Sequence, residues 1–190
     1  KMETFNKNCF LKTTIERIKI PNKMKEMKPG WCKDMKNLTQ IIISTTHEHF
    51  KLYNEQLLIG KSNTNSTSTS TKEDEDKFDT IYIAIRNISE ISIPDFIKFI
   101  EPYSFSQSAI ERVFISSNVK VIGKCSFEDC VNCKNVEFSE NSQLHLIDDG
   151  AFLGSSIETI IIPKNVRRIG DLCFAFCKKL LSVSFPEDSE

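Results

Sequence analysis

From Ile88 onward, apolar residues return in one fixed order. The order is apolar-x-x-apolar-x-apolar, a gap, apolar-x-x-apolar, then a Phe, then a small residue. Copies begin at Ile88, Ile110, Cys133, Ile157 and Leu180, which are 22, 23, 24 and 23 residues apart. Aligning them gives columns of like residues. The first strand column holds Ile91, Val113, Val136, Ile160 and Val183, and the next holds Ile93, Ile115, Phe138, Ile162 and Phe185. Later columns hold Ile100, Ile122, Ile147 and Ile169, then Phe105, Phe127, Phe152 and Phe174, then Ser108, Cys130, Ser155 and Cys177. The repeat is strongest at double length. The 34 residues from Ile110 align without a gap on those from Ile157, an offset of 47, with 13 identities.

The apolar-x-apolar part alternates with period 2, which predicts a strand with one face buried, and Val, Ile and Phe suit a pleated surface. The Val-x-x-Ile-Gly part predicts a second short strand or turn. The part around the Phe predicts one turn of α-helix or 3₁₀-helix, too short to form alone. A single copy cannot bury its own apolar face, but stacked copies build a continuous core. The expected fold is a mainly β solenoid in which successive strands pair in parallel, ~4.8 Å apart.

The same spacings run through Ile15, Ile18, Ile20, Met24, Met27, Cys32, Met35 and Leu38, and Phe5, Phe10 and Thr13 fit the tail of an earlier copy. Both ends of the chain fall within copies, so a piece of a longer array is expected. Between Leu38 and Ile88 the order breaks. The run from Lys61 to Lys77 contains no apolar residue and cannot bury surface to offset its ordering entropy, so a disordered loop is expected. Apolar runs at Leu57–Ile59 and Ile81–Ile85 flank it and predict a hairpin protruding from the solenoid. The expected divisions are N-terminal repeats over 1–60, a polar loop within an irregular hairpin copy over 61–79, and regular repeats over 80–190.

The segment IETIIIPKNVRRIGDLCFAFCKKL, from Ile157 to Leu180, resembles the BspA-like leucine-rich repeat, and the likeness covers nearly the whole chain. It departs at Met24, Met27 and Lys28, where the usual Ile-Gly is missing, and at Asp148, which stands where Gly follows the Ile. The resemblance implies a leucine-rich-repeat-like stack. It also implies a surface or secreted protein that adheres to host proteins or other cells.

Charge and composition narrow the function. With 25 basic and 26 acidic residues the net charge is −1, which argues against nucleic acid as a partner. No apolar run reaches the ~20 residues of a membrane helix, so no membrane insertion by this segment is expected. A monomer is expected. Sequons at Asn37, Asn65 and Asn87 permit glycosylation without showing it.

The stretch CSFEDCVNC, from Cys125 to Cys133, brings three cysteines within nine residues. The Cys130–Cys133 spacing would suit half a zinc site, which needs a second pair. In the stack, Cys130 and Cys177 are two copies apart, ~10 Å by strand spacing, beyond the reach of a disulfide. Cys130, Cys133, Cys173 and Cys177 fall in core columns and are expected to pack as small hydrophobes. Cys125 falls in a variable column and is expected to be accessible. His47 and His49 are expected in a surface loop. No catalytic set, metal site or cofactor site is expected, and so no enzyme.

The outward columns of the first strand carry the functional expectation. Glu90, Arg112, Asn135 and Thr159 form one, and Phe114, Glu137 and Ile161 form its neighbour. Exposed Phe114 and Ile161 could anchor a protein partner, as aromatic and apolar residues at interfaces do. The reading is a non-catalytic protein-protein interaction module at the cell surface or outside the cell. The alternative is an intracellular, cytoplasmic scaffold of the same fold, mildly favoured by free cysteines.

Overall fold

A computed structural model describes residues 2–62 and 78–187. The N-terminal copies contribute β1 (Thr4–Phe5), β2 (Arg17–Lys19), β3 (Glu26–Met27) and β4 (Gln40–Ile42). The irregular region contributes β5 (Phe50–Tyr53), β6 (Leu57–Gly60) and β7 (Thr80–Ala84). The regular copies then alternate a first strand with a second. These are β8 (Glu90–Ser92), β9 (Phe99–Ile100), β10 (Arg112–Ile115), β11 (Val121–Ile122), β12 (Asn135–Phe138), β13 (Leu146–Ile147), β14 (Thr159–Ile161), β15 (Arg168–Ile169) and β16 (Ser182–Ser184).

The columns read from the sequence are the register of the sheets. First strands pair in parallel in the order β16-β14-β12-β10-β8, with Val113 opposite Ile91 and Val136, and Ile160 opposite Val183. Second strands pair likewise, with Ile122 opposite Ile100 and Ile147, and Ile147 opposite Ile169. Phe105, Phe127, Phe152 and Phe174 stack face to face, at centroid distances of 4.9, 5.3 and 5.6 Å and interplanar angles of 5°, 11° and 1°. The molecule is a β-solenoid of leucine-rich-repeat type.

The third side of each copy is not the helical turn expected, and no helix occurs among the described residues. Every second N–H leaves its own copy. Tyr103, Phe105 and Gln107 donate to the carbonyls of Lys124, Ser126 and Glu128; Cys125, Phe127 and Asp129 donate to those of Asp149, Ala151 and Leu153. The N–H groups between them close i→i+3 turns within the copy, as Ser126 does to Gly123. A helix would spend all its N–H groups internally, so the ladder between copies replaces it. Two residues with positive φ, four apart, set up this alternation in each copy: Tyr103 and Gln107, Cys125 and Asp129, Gly150 and Gly154, Leu172 and Phe176.

The hairpin does not protrude. β6 pairs antiparallel with both β5 and β7, and β7 pairs with β9, so the hairpin extends the sheet of second strands. Every residue of β6 and β7 is buried. The physical reason is their uninterrupted apolar composition, which needs cover on both faces. Leu57, Ile59, Ile81 and Ala84 face the core of the C-terminal copies. Leu58, Tyr82 and Ile83 face a second core with Met24, Met27, Trp31 and Leu38. Tyr82 and Ile83 turn to the same side because the register shifts between Leu58 and Ile59, a bulge that places one extra residue in β7. Gly60 is required where the Phe50 and Tyr82 rings meet edge to face, since a Cβ would lie 2.7 Å from the Phe50 ring.

Buried Arg86 ties the two stacks together without a carboxylate. Its guanidinium donates to the carbonyls of Met35 (3.2 Å), Ser104 (2.6 Å) and Tyr103 (3.2 Å). The base of the polar insertion is latched by Asp79, whose carboxylate accepts from the Ser62 N–H (3.1 Å) and the Thr80 hydroxyl (3.1 Å). The disorder expected over Lys61–Lys77 falls almost wholly on 63–77, outside the described residues, as does Asn65.

Glu101 follows β9 at the position held by Gly123 and Gly170 in other copies. Burial pushes its carboxyl up to about 7 from 4.5. The folded chain therefore holds this proton more tightly than the unfolded chain. Stability from this group is greatest below pH 4.5, falls as pH rises through 7 and is level above. Two and a half units correspond to roughly 3 kcal/mol. Glu101→Gln is expected to stabilise the protein by up to that amount at pH 8 and by little at pH 4.5. Urea unfolding at both pH values checks this; an equal gain at both would contradict it.

Candidate protein-interaction face

The first-strand sheet turns Ile91, Val113, Val136, Ile160 and Val183 inward, so alternate residues must face out. Register sets their neighbours. Arg112 lies opposite Glu90 and Asn135, and Asn135 lies opposite Thr159. Two residues further along each strand, Phe114 lies opposite Ser92 and Glu137, with Ile161 next across. All seven residues expected to meet a partner thus lie on one exposed face. Phe114 is 40 % and Ile161 67 % exposed.

The electrostatics of this face are sparse. The Arg112 guanidinium stands 3.7 Å from the Glu90 carboxylate, with both side chains open to water. Such a pair contributes little to stability. A groove of about 600 Å³ opens at the carboxyl ends of β12 and β14, between Glu137, Phe138, Ile161, Pro163, Lys164 and Pro186. Sequence reasoning missed the groove, although the prolines that follow the first strands, Pro94, Pro163 and Pro186, were a signal for a break there. It also missed an aromatic pair off this face, Phe96 against Tyr53 with centroids 5.4 Å apart.

The cysteines divide by position. Cys130 and Cys177 are buried and donate to the Phe105 and Phe152 carbonyls at 3.2 and 3.1 Å, with the Ser108 and Ser155 hydroxyls alongside. Cys133 and Cys173 are buried, and desolvation pushes both thiols up to about 12. Cys32 is pushed to about 12 for the same reason, although Arg86 pulls the other way. Cys125 is not accessible as expected. It is 7 % exposed, covered by Tyr103 and by the neighbouring copy, where Gly150 leaves room for its sulfur. All seven cysteines are free, and only Cys9 is exposed.

His47 is likewise not in a surface loop but buried. Its Nδ1 accepts the N–H groups of His49 and Phe50, both at 3.2 Å, which leaves the proton on Nε2 to be donated to the Pro21 carbonyl at 3.1 Å. Both ring nitrogens are committed to the backbone. Among the described residues, no three His, Cys, Asp or Glu side chains gather as a metal site would need. Among those residues, too, no helix is long and apolar enough to cross a membrane.

Stacked parallel strands, a Phe ladder and a regular exposed sheet define a leucine-rich-repeat protein. The chain belongs to the BspA type Leucine rich repeat region family, whose model matches residues 1–54 and 78–181 in six copies. Members of this repeat class typically serve protein interaction and are generally not enzymes. The pneumococcal vaccine antigen PcpA is similar in structure, with a TM-score of 0.75 at 17 % identity over 92 % of this chain. A leucine rich cell surface protein from Faecalibacterium prausnitzii is similar too, with a TM-score of 0.67 at 22 % identity over 94 % of this chain. At these identities the likeness is one of fold. The chain spans 40 % and 50 % of the lengths of those two proteins. No curated protein matches it.

Thiol burial has a direct readout. One fast-reacting thiol per native chain, Cys9, is expected with an aromatic disulfide reagent, and the other six should react only on unfolding. Three or more fast thiols would contradict the assigned core positions.

Proposed function

We propose that this chain is a non-catalytic protein-interaction module of a surface or secreted protein, adhering to host or cell-surface partners through its first-strand sheet. The observation that carries this reading is the regular sheet face with Phe114 and Ile161 standing exposed on it. The printed descriptions of the two similar structures, a vaccine antigen and a cell surface protein, support the surface setting. Glu90, Arg112, Asn135, Glu137 and Thr159 surround the two anchors and fix which partner fits.

A second reading, an intracellular scaffold, is favoured by seven free cysteines, six of them buried. One experiment separates the two. Intact cells that make the protein are labelled with an impermeant biotin reagent, and the labelled fraction is probed for the chain. Labelling before lysis is expected; labelling only after lysis would support the scaffold. Purified protein should also bind target cells, and the Phe114→Asp, Ile161→Asp double variant should lose that binding while keeping its fold. Equal binding by both would move the interaction off this face.

A further inference from the structure

The face has an acidic centre, Glu137, whose carboxylate is paired with no basic side chain among the described residues. Glu137 makes no hydrogen bond or ion pair through its side chain among the described residues. Phe114 lies opposite it on one side, and on the other the register of Asn135 with Thr159 sets Ile161 beside it; both are exposed, and Glu137 and Ile161 line one groove. Arg112 lines the same shallow hollow as Glu137, but its guanidinium stands 3.7 Å from the Glu90 carboxylate, two strands away from Glu137. The adjoining groove adds a second exposed carboxylate, Glu140, against one basic residue, Lys164. The result is a row of apolar, acidic and apolar side chains running across three strands.

We infer that this row takes a cationic side chain flanked by apolar ones, presented by an amphipathic α-helix laid across the strands. The inference rests on the interaction reading given above and names the chemistry of the partner. Charge supplies the first argument. A protein surface that covers Phe114 and Ile161 must take Glu137 out of water. An unpaired carboxylate there is costly, whereas a Lys or Arg can lay its methylene stem on the apolar neighbours and meet the carboxylate with its charge. Arg or Lys is also attracted to the face of Phe114. Spacing supplies the second. Adjacent strands stand ~4.8 Å apart, so Phe114, Glu137 and Ile161 sit in steps of that size. Residues i, i+4 and i+7 of a helix lie on one face in steps of roughly 5 Å along its axis. Apolar, basic and apolar residues at those positions fall over Phe114, Glu137 and Ile161 in turn.

The test uses a displayed library of a small helical scaffold with one helix face randomised, selected against the intact protein. Binders carrying Lys or Arg between two apolar residues one turn away on each side are expected. They should lose about tenfold or more in affinity against Glu137→Lys, as a like-charge contact requires. Selection against Glu137→Lys should turn the central residue to Asp or Glu. Glu137→Lys is at an exposed position, and an unchanged circular dichroism spectrum confirms that it folds. Binders that lose affinity with Phe114→Asp but show no charge preference would overturn the inference and leave the interaction reading standing. Failure to select any binder sensitive to Phe114→Asp would overturn both.

Discussion

Every part of this fold depends on the contact between the inward side chains of one copy and the same side chains of the next. A copy of about 23 residues has one strand of three or four residues, a second of two, and a turn. None of these can hold itself together in water, and isolated strands of this length are marginal. Stacking like over like supplies what each lacks. Val113 lies on Ile91 and Val136, Phe127 lies on Phe105 and Phe152, and the N–H groups of the turn find carbonyls in the neighbouring turn. Close stacking also dictates composition. Gly123 is needed because a Cβ there would stand 2.5 Å from the Ile100 carbonyl oxygen. Serine and cysteine alternate in the closing column, where each cysteine thiol donates to a Phe carbonyl and stands 3.3–3.4 Å from the serine hydroxyl of the preceding copy.

The interruption shows the same constraint under a different solution. Where the repeat order fails, the stack is joined by strands that are apolar on both faces. β6 and β7 form a wall, with the Met-rich N-terminal core on one side and the Ile- and Phe-rich core on the other. Arg86 reaches across it from carbonyl to carbonyl. The polar insertion enters and leaves at one edge of that wall, beside Asp79.

The regular copies were legible in the sequence because each inward position recurs, and recurrence averages away the ambiguity of any single short strand. The outward residues Phe114 and Ile161 followed from the same alternation. Two features were not legible, for separate reasons. The turn ladder depends on positive φ at residues such as Tyr103 and Cys125, side chains that carry no such signal. The depth of Cys125 depends on Tyr103 and Gly150, which hold its own column in the adjacent copies and differ from it in residue type. The hairpin lies inward as its sequence implies: Leu57-Leu58-Ile59 and Ile81-Tyr82-Ile83 are continuous apolar runs, the pattern of strands covered on both sides, which outweighs the expectation of a protruding hairpin. That signal was present and pointed inward. Glu137 is one outward residue among many in the columns; its significance comes from its place between Phe114 and Ile161 with no side-chain partner among the described residues.

The face proposed to bind can be this plain because its side chains stand on strands packed into the core. Phe114, Glu137 and Ile161 are held at fixed spacings by strands whose opposite faces are locked in the core, so a partner pays little to order them. That rigidity rests on the two stacks acting as one body through β6 and β7. Hydrogen–deuterium exchange of the native protein, read peptide by peptide, tests this most directly. Amides of Leu57–Gly60 and Thr80–Ala84 should exchange last, together with those of β10 and β12. Exchange of β6 and β7 as early as the exposed edge strand β16 would contradict the wall, and with it the single rigid stack.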